Sequence, residues 1–369
     1  MQGKSQRLVE LDFFRGLVLL VIVVDHIGGS MLSRVTLHAF ALNDAAEVFV
    51  FLGGFATATA YVSMAARRSE SAARARFFRR AFEIYRAFVV TAALMLLTSF
   101  LLRPLFGSAP NLAVADLDSF LAAPFTAITD VLLLRRQPYL SSVLPMYAFF
   151  ALSVPLVLPL ARRRPWWLLA GSLALWAVAR SLGGYLPAVE DTQWDFNPLA
   201  WQLLFVLGVL ARCQPVYQRL SAHRSGWLVS VLAFGIVVAA AYYKLVIEPA
   251  PLDASFKQNL SWLRAGNFLA IAWLVANLIR LGWGKKLARW LPWVGMIGRK
   301  GLLCFVAGAV ISLVVDSLLY TATDGYLDIP LGLVADAVAV GALFMVARAS
   351  EPLARMLTWR ARTTGGVSS

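Results

Sequence analysis

Apolar runs long enough to cross a bilayer recur along this chain from end to end, and no other feature limits its fold so strongly. The hydrocarbon core needs about 20 consecutive apolar residues as helix, because every backbone polar group must be satisfied within the segment. Ten such segments are predicted, over approximately residues 12–29, 44–65, 82–103, 141–160, 166–182, 199–211, 226–247, 263–281, 299–320 and 330–349. The sixth, at about 13 residues, needs flanking residues or a re-entrant path to complete it. The expected fold is therefore an all-α, polytopic membrane helical bundle. It forms one domain over residues 1–350, followed by a cytoplasmic, partly disordered tail over 351–369. A chain that is 60% hydrophobic and 15% charged departs from soluble composition in the same direction on both counts.

The net charge of +14 would suggest nucleic acid in a soluble protein, so its distribution matters. Of the 34 Lys and Arg residues, 24 fall on the N-terminal side and alternate loops. Eight fall on the opposite side, and Arg15 and Arg86 lie inside spans. Positive residues concentrate on cytoplasmic loops, so both termini are expected in the cytoplasm and the basic balance reads as topology. No nucleic-acid partner is expected; membrane lipid is. Lys4 and Arg7 precede the first segment as a signal peptide's basic region would. "DHIGGSMLSR" offers a poor cleavage site, so that helix is expected to be retained. Cys213 and Cys304 have no metal-like spacing and read as packing residues, and no metal site is expected. The longest loop, about Pro104 to Leu140, is too long for a connector and is expected to pack over the bundle.

The first segment, "DFFRGLVLLVIVVDHIGG", carries ionisable groups that cost roughly 2.5–3.5 kcal/mol each at mid-bilayer. Arg15 is placed toward its cytoplasmic end. His26 lies roughly 16 Å further along the axis at about 1.5 Å per residue. Histidine is the side chain best suited to exchange a proton near neutral pH. An interfacial ring and a snorkelling arginine are the plainer alternative. Asp25, about 100° around the helix, need not touch its neighbour's ring.

The second span opens "NDAAEVFVFLGGFATATAY", in which Asn43 or Asp44 reads as a helix cap and Glu47 as a first-turn anion. Glu47 is also placed to orient the His26 imidazole. Gly53 and Gly54 read as close-packing positions. Further on, "DTQWDFNPLAWQLLFVLG" interleaves Trp194, Asn197, Trp201 and Gln202. That pattern suits an aromatic belt with a proline-led helix start, and equally a platform on which sugar rings stack. Arg86 is a candidate phosphate contact, and Asp316 and Asp336 are intramembrane carboxylates without an assigned role.

The blocks "LDFFRGLVLLVIVVDH", "AAEVFVFLGGFATATAY", "LPMYAFFALSVPL", "WDFNPLAWQLLFVLGVLAR" and "GRKGLLCFVAG" occur in order over most of the chain. Together they resemble the OpgC family of membrane succinyltransferases, which modify osmoregulated periplasmic glucans and are similar to the broader integral-membrane acyltransferases. The resemblance implies a multi-pass protein of the bacterial inner membrane. It would move an acyl group from acyl-CoA, with succinyl-CoA the expected donor, to hydroxyls of a periplasmic glucan or other glycan. No bound cofactor is expected. His26 carries over as the acid/base histidine and Arg15 as the companion arginine. In the mechanism that fits these parts, Asp25 or Glu47 would fix the imidazole's tautomer, and Arg15 and Arg86 would serve the donor. Trp194, Asn197, Trp201 and Gln202 would seat the acceptor. Gly53 stands where many relatives have Ser. A transporter of a polar anion, using the same intramembrane Arg, His and carboxylates, is the alternative, although the sequence has no evident inverted repeat.

Overall fold

A computed structural model describes residues 9–107, 109–114, 117–189, 192–248 and 254–364. Lys4, Arg7, Asp116, Glu190, Asp191, Asp253 and the last five residues lie outside them. The described residues contain helices and no strands. Ten long helices order the chain: α1 Val9–Asp25, α2 Ala45–Arg67, α3 Glu70–Phe106, α4 Val143–Arg163, α5 Pro165–Leu182, α6 Pro198–Cys213, α7 Gly226–Tyr242, α8 Trp262–Arg280, α9 Gly301–Thr323 and α10 Ile329–Thr364.

Each expected segment coincides with one of these helices, but the expected count of ten spans needs correction. Seven described helices are long and apolar enough to cross a membrane: α2, α3, α4, α7 extended to Ile247, α8, α9 and α10 to Ser350. The number rises to nine if each of two bent helix pairs forms one span. One such pair joins α6 to Val216–Ala222 at 68°, which accounts for the short sixth segment. The other, bent at 118°, lies in the expected loop, where the described residues form the short helices Pro110–Val114, Leu117–Ala122 and Pro124–Leu132. At 17 residues α1 is short, and it ends at Asp25, so His26 sits in a turn. The expected tail is helical as far as Thr364.

Local chemistry explains the helix starts. Asp44 caps α2 in a capping box: its carboxylate accepts from the Ala46 N–H, and Glu47 accepts from the Asp44 N–H. Asn197 caps α6, with Pro198 in the first turn. Burial separates faces that meet protein from faces that meet lipid. On α7, Leu228, Val231, Leu232, Phe234 and Val238 are exposed, while only Gly226, Ala233 and Ala240 are buried. So wide an apolar exterior has no place in water.

Two glycine pairs set the tightest helix contacts. A Cβ on Gly54 would overlap the Phe205 carbonyl, and one on Gly208 the Phe51 carbonyl, so α2 and α6 pack backbone to backbone. Gly16 on α1 and Gly298 in the short helix Pro292–Arg299 form the second pair, meeting Val294 and Asp12 respectively. Gly53 faces the Tyr147 ring, 2.8 Å from a Cβ built there, so both glycines of "FLGGF" are packing positions.

Helices α1 and α9 run parallel. Arg15 lies against Gly301, Val23 against Gly308, and Gly29 against Leu319. The C-terminal end of α1 and the N-terminal ends of α2 and α4 meet around one cavity, joined by the segments preceding α6 and α8.

Candidate active site

That cavity, about 450 Å³, falls within the usual range for small-molecule sites. Its polar wall includes Asp25, His26, His38, Asp44, Ser142, Asp195 and Lys257. Its apolar wall includes Leu19, Ile22 and Val23 of α1, Phe49 of α2, and Cys304, Phe305 and Gly308 of α9. Along α1 and the turn that follows it the lining runs from Leu19 to His26, roughly 10 Å. Leu19 lies one turn above Arg15, whose guanidinium packs over Gly301. One end of the apolar wall is thus backed by the Arg15 cation. Tyr147 donates to the Phe49 carbonyl at 2.8 Å.

His26 has a defined tautomer. Its Nδ1 lies 2.6 Å from the Ile22 carbonyl oxygen. A carbonyl oxygen only accepts, so Nδ1 carries the proton and Nε2 of the neutral ring carries the lone pair. Tyr139 meets the ring edge-on at 6.3 Å between centroids. Asp25 is turned elsewhere: its carboxylate accepts from the Thr36 hydroxyl at 2.7 Å. The orienting group for His26 is therefore a backbone carbonyl of its own helix, a partner that sequence patterns do not reveal.

Glu47 does not line the cavity. It is fully buried, receives the Arg264 guanidinium at 2.5 Å and accepts from the Asp44 N–H. Asp44 bridges two cations, Lys257 at 2.8 Å and Arg264 at 3.2 Å. Burial pushes the Asp44 carboxyl up, but these two cations more than offset it and hold the group well below the usual carboxylate range. Lys257 and Arg264 were missed in the sequence, where they counted only as external charges. The signal available was a basic residue two helical positions into the eighth span. Burial, with Lys244 adding to it, lowers the His38 imidazole, while burial raises the Tyr139 phenol.

The four expected acceptor residues lie together but spend their polar groups on the scaffold. Trp194 donates to the Pro187 carbonyl, and Asn197 to the Ala179 carbonyl and Asn259. The fully buried Trp201 donates to the Lys257 and Gln258 carbonyls, and Gln202 pairs with Ser172. None of the four lines the cavity, whereas their neighbours Asp195 and Phe196 do. Trp201 and Asn197 thereby hold the Ala254–Gln258 helix from which Lys257 reaches the cavity. Arg86 is exposed on α3, away from the cavity. The wall residue Leu140 has left-handed backbone (φ 60°), as does Leu260 (φ 45°), two residues after Gln258 of the wall. Such strain persists only where surrounding structure imposes it.

A multi-pass helical membrane protein with a titratable, mostly apolar cavity between its helices is the class that fold and site define. Within it, the chain belongs to the OpgC family: the match to the family described as OpgC protein covers residues 7–355, nearly the whole chain. Membership points to a membrane acyltransferase type of function. No curated protein matches the chain, and no solved structure does.

Proposed function

We propose that this protein is a membrane O-acyltransferase of the bacterial inner membrane. It would take an acyl group from an acyl-CoA on the cytoplasmic side, with succinyl-CoA the expected donor. The acceptor would be a hydroxyl of a periplasmic glucan or another glycan. The observation that carries this reading is His26, whose Nδ1 is committed to Ile22 while the residue lines a cavity polar on one wall and apolar on the other.

The chemistry follows from that arrangement. The Nε2 lone pair removes the proton of a sugar hydroxyl as its oxygen attacks the thioester carbonyl carbon. Collapse of the tetrahedral intermediate breaks the C–S bond, and the imidazolium returns its proton to the departing thiolate. The apolar wall suits the acyl-pantetheine arm, and Arg15 beside Gly301 supplies a cation at the donor's end. Lys257 and Ser142 offer donors to the acceptor at the other end, where Asp25 and Asp195 accept. In this reading Trp194, Asn197, Trp201 and Gln202 serve the acceptor by shaping that wall.

Incubation of the purified protein with radiolabelled succinyl-CoA or acetyl-CoA and candidate glycans tests the proposal. Label on a glycan is the expected outcome. Uptake of an unaltered labelled anion into vesicles, with no glycan labelled, would replace the enzyme by a transporter.

A further inference from the structure

Two buried carboxylates outside the cavity, Asp316 on α9 and Asp336 on α10, end on the turn that carries His26. The Asp316 Oδ1 accepts from the Gly28 N–H at 2.7 Å, and its Oδ2 accepts from the Asn111 amide at 2.6 Å. The Asp336 Oδ1 accepts from the Ser30 hydroxyl at 2.5 Å. Its Oδ2 accepts from the Met31 and Leu32 N–H groups at 2.9 and 2.8 Å. On the other side of the histidine, Ser312 of α9 donates to the Val23 carbonyl at 3.0 Å. The imidazole is thus bracketed, three residues before it and two to six residues after it, by groups on the last two helices.

These bonds differ from ordinary helix-to-helix contacts. Both carboxylates accept from backbone N–H groups that the local turns leave unpaired: Gly28 lies between the Ile27–Val24 and Ser30–Ile27 turn bonds, and Met31 and Leu32 open the short 3₁₀ helix Leu32–Val35, so the carboxylates complete the pairing of that turn. Gly332 lets α10 approach closely enough, since a Cβ there would lie 2.5 Å from the Gly29 carbonyl. Asp316 also ties in the 104–140 excursion through Asn111, and the far end of that excursion lays Tyr139 against the His26 ring. One side chain therefore joins the turn beneath the imidazole to the segment covering it.

We infer that Asp316 and Asp336 are positioning residues for His26, holding its ring at the cavity through the backbone of residues 28–32. This rests on the reading of His26 as the base. Displacement of a reacting group by about 1 Å costs on the order of a hundredfold in rate.

The test uses the full chain in detergent or liposomes, as wild type, Asp316→Ala, Asp316→Asn, Asp336→Ala and His26→Gln. It reads kcat, KM for the donor, and the rate at which diethyl pyrocarbonate modifies His26, followed by peptide mapping. Both alanine variants are expected to lose at least about tenfold in kcat, with KM nearly unchanged and His26 modified faster. Asp316→Asn is expected to recover most of the rate, because its carboxamide oxygen still accepts from Gly28. A kcat within twofold of wild type in the alanine variants, or unchanged His26 modification, would overturn the inference. So would an Asp316→Asn variant as slow as Asp316→Ala. Should Asp336→Ala fail to insert, Ser30→Ala removes one of its three donors and is read in the same way. Wild-type turnover in His26→Gln would instead sink the base assignment, leaving the modification rates to judge the clamp alone.

Discussion

Replacing Glu47 by alanine strips one partner from an ion pair that water does not reach. The Glu47 side chain is 0% and the Arg264 side chain 8% exposed. Breaking such a pair from one side costs about 3–5 kcal/mol, since the remaining charge stays buried. Two features adjust that figure. Arg264 keeps Asp44 at 3.2 Å, which lowers the loss, although Asp44 is shared with Lys257. The Asp44 N–H loses its acceptor, which adds about 1 kcal/mol. The expected destabilisation is therefore about 3–4 kcal/mol, read by equilibrium denaturation in mixed detergent micelles. The double variant Glu47→Ala with Arg264→Leu removes both charges and should recover most of the loss, because apolar replacement of a buried pair is close to neutral. A Glu47→Ala protein as stable as wild type but inactive in transfer would refute this reasoning and return Glu47 to the catalytic machinery. A double variant no more stable than the single would also count against it.

Three further outcomes follow from the packing and charge. Gly54→Ala should cost about 3 kcal/mol, the upper part of the overpacking range, because the obstacle is the Phe205 carbonyl rather than a side chain that can rotate; an unchanged thermal midpoint in detergent would contradict it. Asn197→Ala removes the α6 cap and the amide bonds to Ala179 and Asn259, for about 2–3 kcal/mol in the same denaturation assay. A loss under 0.5 kcal/mol would show that the cap contributes little to the fold. His38 is held below the ordinary histidine value by burial and Lys244. The unfolded chain therefore binds a proton there first as pH falls, and stability should decline as pH drops below about 6.5. His38→Gln should flatten that part of the stability curve, and an identical slope in the variant would rule His38 out as its source.

The elements were legible wherever apolar length and capping chemistry speak locally. The α2 cap, expected at Asn43 or Asp44 and found at Asp44, and the Pro198 start rest on neighbours in sequence, and the small residues at 53 and 54 signalled close packing without naming its partners, Tyr147 and Phe205. What local pattern could not reveal is who meets whom across the bundle. Glu47 looked free to orient an imidazole because its partner, Arg264, is 217 residues away. Trp201 and Gln202 looked like a sugar platform because nothing nearby in sequence claims their polar groups, yet Lys257, Gln258 and Ser172 do. The span count of ten came out high because α1, at 17 residues, and α5 do not have both the length and the apolarity of a crossing helix, and α6 reaches them only together with Val216–Ala222 across a 68° bend. His26 was expected near the external end of the first span with Asp25 or Glu47 as its orienting carboxylate; the structure puts both His26 and Asp25 on the cavity wall and gives the orienting contact to the Ile22 carbonyl.

The central claim is that His26 moves the proton in a transfer that connects the two sides of the membrane. Proteoliposomes with a glycan acceptor sealed inside and radiolabelled acyl-CoA supplied outside measure this directly. Wild-type protein should label the enclosed glycan, and His26→Gln, inserted to the same level, should slow labelling by about 10²–10⁴-fold. Labelling at the wild-type rate by His26→Gln would contradict the account.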